Sequence, residues 1–166
     1  MPSPKEVVLQ QLSMGQYLMG KFTEDLTDQE YFKPPTEGAN HAAWIVGHIA
    51  CSEDSLVAAI TGVAKRIPDS TFELFKGGSQ CIPDASKYPS RKQIDELFRT
   101  SRAHTAECLK KYDEARFDDP PPKGWDKELF PSMGAIWGLQ GTHQYWHIGQ
   151  LTVCRQALNK KHVLGT

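Results

Sequence analysis

Apolar side chains recur at intervals of three and four along four stretches of this chain, the spacing of helices that bury one face. In the first stretch Val8, Leu12, Met19 and Phe22, supported by Leu9 and Leu18, form a stripe that reaches about Leu26. Ser3, Pro4 and Glu6 stand ahead of it in the order of a capping box, with proline at the first helical position. In the second, Trp44, Ile45, Ile49, Leu56 and Ile60 describe an apolar face from about Asn40 to a helix stop at Gly62. The third opens on the capping pair Ser90 and Gln93 and carries Ile94, Leu97, Phe98, Ser101, Thr105, Cys108 and Tyr112. The fourth is capped by Ser132 and runs to about Asn159, where Lys160, Lys161 and His162 suit the negative end of a helix dipole.

The intervening segments have a different character. Residues 28–38 contain Pro34, Pro35 and Gly38 and predict a plain connection. Residues 62–90 are rich in Pro, Gly and Ser and predict at most a short helix around Ser70 to Phe75; so long a link implies a crossover rather than a helical hairpin. Residues 113–131, with Asp118-Asp119-Pro120-Pro121-Pro122 and Gly124-Trp125, suit a cover over one bundle end. The predicted fold is all-α, a four-helix bundle with long crossover connections, in a single domain over residues 1–166. Two features depart from a simple bundle. Ser101 and Thr105 occupy inward positions where Leu or Ile would be ordinary, which predicts a polar centre or a cavity. Gly134, Gly138, Gly141 and Gly149 lie inside the last helix, each at a cost of about 1 kcal/mol, and make sense where a backbone or ligand approaches closely.

Composition narrows the class. A hydrophobic fraction of 39% and a charged fraction of 23% suit a globular protein. With 19 basic and 20 acidic side chains there is no basic excess for a nucleic-acid partner. The N-terminus lacks an apolar signal core, and the longest apolar run reads as too short and interrupted for a bilayer, so no membrane partner and a cytoplasmic location are expected. Cys51, Cys81, Cys108 and Cys154 have no paired spacing and read as reduced cysteines, three of them in buried helix faces.

The candidate chemistry lies in Gly141-Thr-His-Gln-Tyr-Trp-His-Ile-Gly-Gln-Leu-Thr-Val-Cys-Arg155. On a helix, His143 and His147 stack one turn apart and can converge on one ion. A third ligand is needed, and His48 in the apolar second helix is the best candidate. Three neutral imidazoles suit Zn, Ni, Fe or Cu and leave a coordination position open. Such a pair also arises by chance, and a lone histidine on an apolar face is often a hydrogen-bonded core residue. Gln144 stands where a His-Glu-x-x-His motif needs glutamate, so spacing alone leaves both readings open.

Two segments, Trp44-Ile-Val-Gly-His48-Ile-Ala-Cys-Ser-Glu53 and His143-Gln-Tyr-Trp-His147-Ile-Gly-Gln-Leu151 followed by Arg155, resemble the signatures of the DinB-like (DinB/YfiT-like) family of four-helix-bundle metalloproteins. The similarity extends to chain length, helix count and segment order. It implies His48, His143 and His147 as ligands of a divalent metal, usually zinc or nickel, with manganese or iron as alternatives. It also implies a non-sequential helix order and a homodimer. Members with known activity include metal-dependent transferases and isomerases that use low-molecular-weight thiols such as bacillithiol or mycothiol. The expectation is therefore a metal-dependent enzyme that activates a thiol or water against a small-molecule substrate, as a thiol S-transferase or a hydrolase. The rival classes are a metal-binding or dimeric scaffold without turnover and a helical interaction domain with merely packed histidines.

Several neighbours of these residues have competing readings. Glu53 reads as a salt-bridge residue ahead of a base behind the ligands, and Cys51 as a buried small hydrophobe ahead of a fourth ligand. Gln150 suits either a partner that orients His147 or a polar bundle contact. Tyr145 and Trp146 read as packing residues, and Arg155 as an inter-helix ion pair ahead of an anion site. His41 and His104 read as surface or hydrogen-bonded histidines, and His162 as a helix-end cation. No general base is named.

Overall fold

In the computed structural model, which describes residues 1–164, the four amphipathic stretches are the four long helices. They are α1 (Pro4–Thr23), α3 (Ala42–Thr61), α5 (Arg91–Lys111) and α6 (Met133–Ala157), with short helices α2 (Asp28–Tyr31) and α4 (Asp69–Phe75) in the links. The caps are those expected at Ser3, Ser90 and Ser132. At α3 the cap is His41, whose Nδ1 accepts from the Trp44 N–H at 2.9 Å. Helix α2 corrects the plain connection expected over residues 28–38. Thr27 and Glu30 form a third capping box there, and Tyr31 buries its ring and donates to Asp95 at 2.8 Å.

Named contacts give the helix order and directions. Arg102 of α5 reaches the Leu12 carbonyl of α1, and Arg91 donates to the Thr23 carbonyl at 2.8 Å, so α1 and α5 are antiparallel. Gln140 of α6 donates to the Glu53 carbonyl and Cys154 to that of Asn40, so α3 and α6 are antiparallel too. Gln144 donates to the Gln11 carbonyl at 2.8 Å and Arg155 to that of Phe22 at 3.0 Å, which makes α1 and α6 parallel neighbours. It follows that α3 and α5, also packed together, run the same way. Parallel neighbours cannot be joined by a hairpin, so residues 62–90 return along the length of the bundle, the expected crossover. The first and third links instead join helices across the bundle's diagonals.

The core has two apolar halves. One gathers Ile45, Ile49, Phe75, Ile94, Phe98 and Leu151; the other gathers Leu12, Val57, Leu109, Ile136 and Trp137. Along each of α3, α5 and α6 a buried polar residue separates them: Glu53, Arg102 and Gln144. Glu53 and Arg102, 3% and 2% exposed, form an ion pair whose attraction offsets part of the cost of burying the two charges; burial still raises the Glu53 carboxyl above its ordinary value, against Arg102. Ser101 and Thr105 are buried beside that pair, so the small polar residues of the third helix mark a polar centre. The third link covers the bundle end as expected, with Phe117 buried beside Tyr112 and Met133.

Helix α3 corrects one expectation. By length and composition Ala42–Thr61 is long and apolar enough to cross a membrane, with a mean hydropathy of 1.2. It packs against α5, α6 and α4 and is mostly buried by them, which accounts for its apolar character.

Candidate metal centre

Helices α3 and α6 bring the three imidazoles together. One nitrogen from each of His48, His143 and His147 falls in a set whose members all lie within 4.8 Å of one another. The ring centroids of His48 and His147, and of His143 and His147, are 4.7 Å apart. Nε2 of His143 and Nε2 of His147 are 3.1 Å apart, close to the roughly 3.4 Å spacing of two tetrahedral zinc ligands at about 2.1 Å. With every pair within 4.8 Å, no gap has to close by more than about 1.4 Å to meet such bond lengths, a shift within reach of side-chain torsions.

Hydrogen bonds orient two of the rings. Nδ1 of His48 donates to the Phe75 carbonyl at 2.8 Å, which leaves a lone pair on Nε2. Nδ1 of His147 pairs with Oε1 of Gln150 at 3.0 Å and leaves its Nε2 lone pair toward His143. The His48 ring also stacks on Trp44, with centroids 4.7 Å apart and planes 7° from parallel. Trp44 in turn donates to Ser79 at 3.0 Å, and Ser79 to the Leu74 carbonyl, so the end of α4 and the tryptophan form one support.

Gly47 makes this support possible. A Cβ there would lie 2.5 Å from the Phe75 ring, so only glycine lets that ring pack on α3 and aim its carbonyl at His48. Of the four glycines in α6, Gly141 faces Gln11 closely and Gly134 faces Phe117, while Gly138 and Gly149 have open space beside them. Close approach of a backbone, as expected, is thus seen at Gly134, by the Phe117 carbonyl, whereas Gly141 meets a side chain.

The environment keeps these rings neutral. Burial, and then repulsion from His147 and His48, pushes His143 down to about 4. Burial, followed by repulsion from His48, pushes His147 down to about 4 as well. Burial lowers His48 too, against the Phe75 carbonyl, which favours the protonated form. Neutral imidazole is the form that coordinates a metal.

The remaining candidates fall into place around this trio. Glu53 is held by Arg102 inside the core, and Arg155 pairs with Asp25 and donates to Phe22 and Lys161 carbonyls. Cys51 is fully buried, its thiol pushed up to about 12 by burial. Tyr145 donates to the Gln11 carbonyl, and Trp146 is 67% exposed with its ring edge-on to His143, centroids 5.9 Å apart. His41 is buried and bonded as a cap, His104 lies against Cys108, and His162 is exposed beyond the end of α6. Sequence reasoning missed Phe75, Ser79 and the role of Gly47. The one available signal was Trp44 a turn before His48, where stacking is sterically natural.

The family model of the DinB superfamily matches residues 11–151, a span that holds all three histidines. The chain belongs to the DinB superfamily. Its DinB fold recurs in solved structures. A conserved protein from Enterococcus faecalis superposes with a TM-score of 0.75 at 15% identity, covering 96% of this chain and 100% of that one. YfiT from Bacillus subtilis superposes with a TM-score of 0.66 at 17% identity, covering 95% of this chain and 89% of that one. That protein is described as a probable metal-dependent hydrolase with an unusual four-helix bundle topology. No curated protein matches this chain.

Proposed function

We propose that this DinB protein is a metal-dependent enzyme in which His48, His143 and His147 hold one divalent ion, zinc or nickel. The reading is carried by the convergence of three neutral imidazoles from two helices, two of them with Nδ1 bonded so that Nε2 carries the lone pair. A bound dication supplies Lewis acidity, which lowers the pKa of water or a thiol and polarises a carbonyl. The protein's own groups provide the rest. Phe75 and Gln150 fix ring orientation and raise ligand basicity; His48 and His147 are buried, while the half-buried His143 faces the side from which a substrate would enter. Glu53 is occupied by Arg102, so no carboxylate base beside the rings is invoked.

The substrate is a small molecule and the nucleophile is water or a low-molecular-weight thiol. The description of the Bacillus subtilis neighbour supports water. A homodimer belongs to the same proposal: Val7, Leu129 and Trp146 are exposed along one groove beside α1 and α6 and would be covered by a second copy. Elemental analysis of the purified chain, followed by an ester, amide and thiol-transfer panel on the loaded protein, tests the enzyme reading. Bound metal without turnover across that panel would favour a scaffold, and absence of stoichiometric metal would end the proposal.

A further inference from the structure

Next to the imidazoles, between α3, α4 and α6, lies a cleft of about 290 Å³ whose inner side is formed by His48 and His143. Its apolar walls are Leu56, Phe72 and Leu139. The polar groups along it are Ser52, Ser55 and Lys76, and among the described residues no carboxylate lines it. The Ser52 hydroxyl is 3.4 Å from Nε2 of His48, and the Ser55 hydroxyl is buried without a hydrogen-bond partner among the described residues. The volume lies near the lower limit of small-molecule sites, about 300 to 1,000 Å³.

Two lysines stand at the rim, one of them paired with a carboxylate. Lys76 Nζ is 2.5 Å from the Glu73 carboxylate, but both side chains are well exposed, at 44% and 60%. Such a surface pair contributes little, so an incoming anion can take the lysine from the glutamate. Lys65 Nζ lies 4.4 Å from the centroid of the Phe72 ring and adds a second positive charge by the same wall.

We propose that this cleft selects a small substrate that is apolar over most of its length and carries one carboxylate. The apolar body packs on Leu56, Phe72 and Leu139, the carboxylate pairs with Lys76 at the rim, and the reacting carbonyl points inward, where Ser52 donates to it. The place of the reaction rests on the metal reading above; the binding preference does not.

The test uses two probes of equal shape, 4-phenylbutanoate and its neutral amide, titrated calorimetrically into the full chain with and without bound zinc, with metal content measured on the same samples. The carboxylate is expected to bind about two- to fivefold more tightly than the amide in both forms, the range of an exposed ion pair. Lys76→Gln should bring that ratio close to one while leaving amide affinity unchanged, and Lys76→Glu should invert it. Phe72→Ala should weaken both probes alike, and Lys87→Gln, at an exposed position elsewhere in the link, should change neither. A preference that survives Lys76→Gln, that exists only when zinc is bound, or failure of either probe to bind overturns the proposal. If the chain takes up no metal while the Lys76 effect appears as expected, the metal reading falls and the selectivity stands.

Discussion

Nδ1 of His48 lies 2.8 Å from the carbonyl oxygen of Phe75, and this bond ties the middle of α3 to the last residue of α4. It sets the tautomer of His48 and so decides which nitrogen faces His143 and His147. Gly47 is what allows the approach, because a methyl group there would stand 2.5 Å from the Phe75 ring. Gly47→Ala is therefore expected to displace α4 and lower metal affinity about 10- to 100-fold, with helical content by circular dichroism retained. Unchanged affinity in a zinc competition titration would separate the Phe75 bond from metal binding.

Removal of the imidazoles themselves should have the larger effect. His48→Ala, His143→Ala and His147→Ala are each expected to abolish stoichiometric metal, since two remaining ligands do not hold an ion firmly. Elemental analysis of dialysed protein reads the outcome. Near-native metal content in any of the three would remove that residue from the ligand set.

Gln150 offers a milder perturbation. Its side chain is exposed apart from the 3.0 Å contact to Nδ1 of His147, so Gln150→Leu should leave the fold intact. Losing the partner of a ligating histidine is expected to weaken metal binding about 10- to 100-fold. Equal affinities in wild type and variant would assign Gln150 to the surface alone.

Glu53 and Arg102 test the division between stability and chemistry. Arg102→Met leaves a carboxylate buried at 3% exposure without its counter-ion and is expected to destabilise the fold by about 3–5 kcal/mol. Adding Glu53→Leu should recover most of that loss, and metal per folded chain should match wild type throughout. Denaturant titration with metal analysis distinguishes this from a role for Glu53 at the metal centre, where the double variant would stay inactive in metal uptake.

Acid should destabilise the metal-free protein through its buried histidines. Burial lowers His41, His48, His143 and His147 in the folded chain, the last two to about 4, whereas in the unfolded chain each titrates near 6.5. Between these values the unfolded chain binds more protons. The associated stability is thus complete above about pH 6.5 and is lost as the pH falls toward 4. Thermal melts across that range should show a falling Tm, with a shallower slope in a His143→Ala, His147→Ala double variant; parallel slopes would contradict the burial of these rings.

Much of the fold was legible locally. Capping pairs and three-four periodicity located the long helices to within a few residues, since both are properties of neighbouring positions. Helix α2 went unread although Thr27 and Glu30 carry the same capping signal, because Pro34 and Pro35 beyond it suggested an unbroken loop. Ser101 and Thr105 announced a polar centre or a cavity without deciding between them, and the ion pair beside them could not be named: Glu53 lies on another helix, and nothing near Arg102 in sequence points to it.

The sequence alone determined the helices, their buried faces and the turn-apart placement of His143 and His147, because each depends on residues a few positions apart. Only the tertiary structure decided that α3 packs antiparallel to α6, that His48 therefore meets those two rings, and that Phe75 and Trp44 orient it. These contacts join positions far apart in the chain, and their existence depends on which helix faces fit together once apolar surface is buried, a condition that no local spacing records.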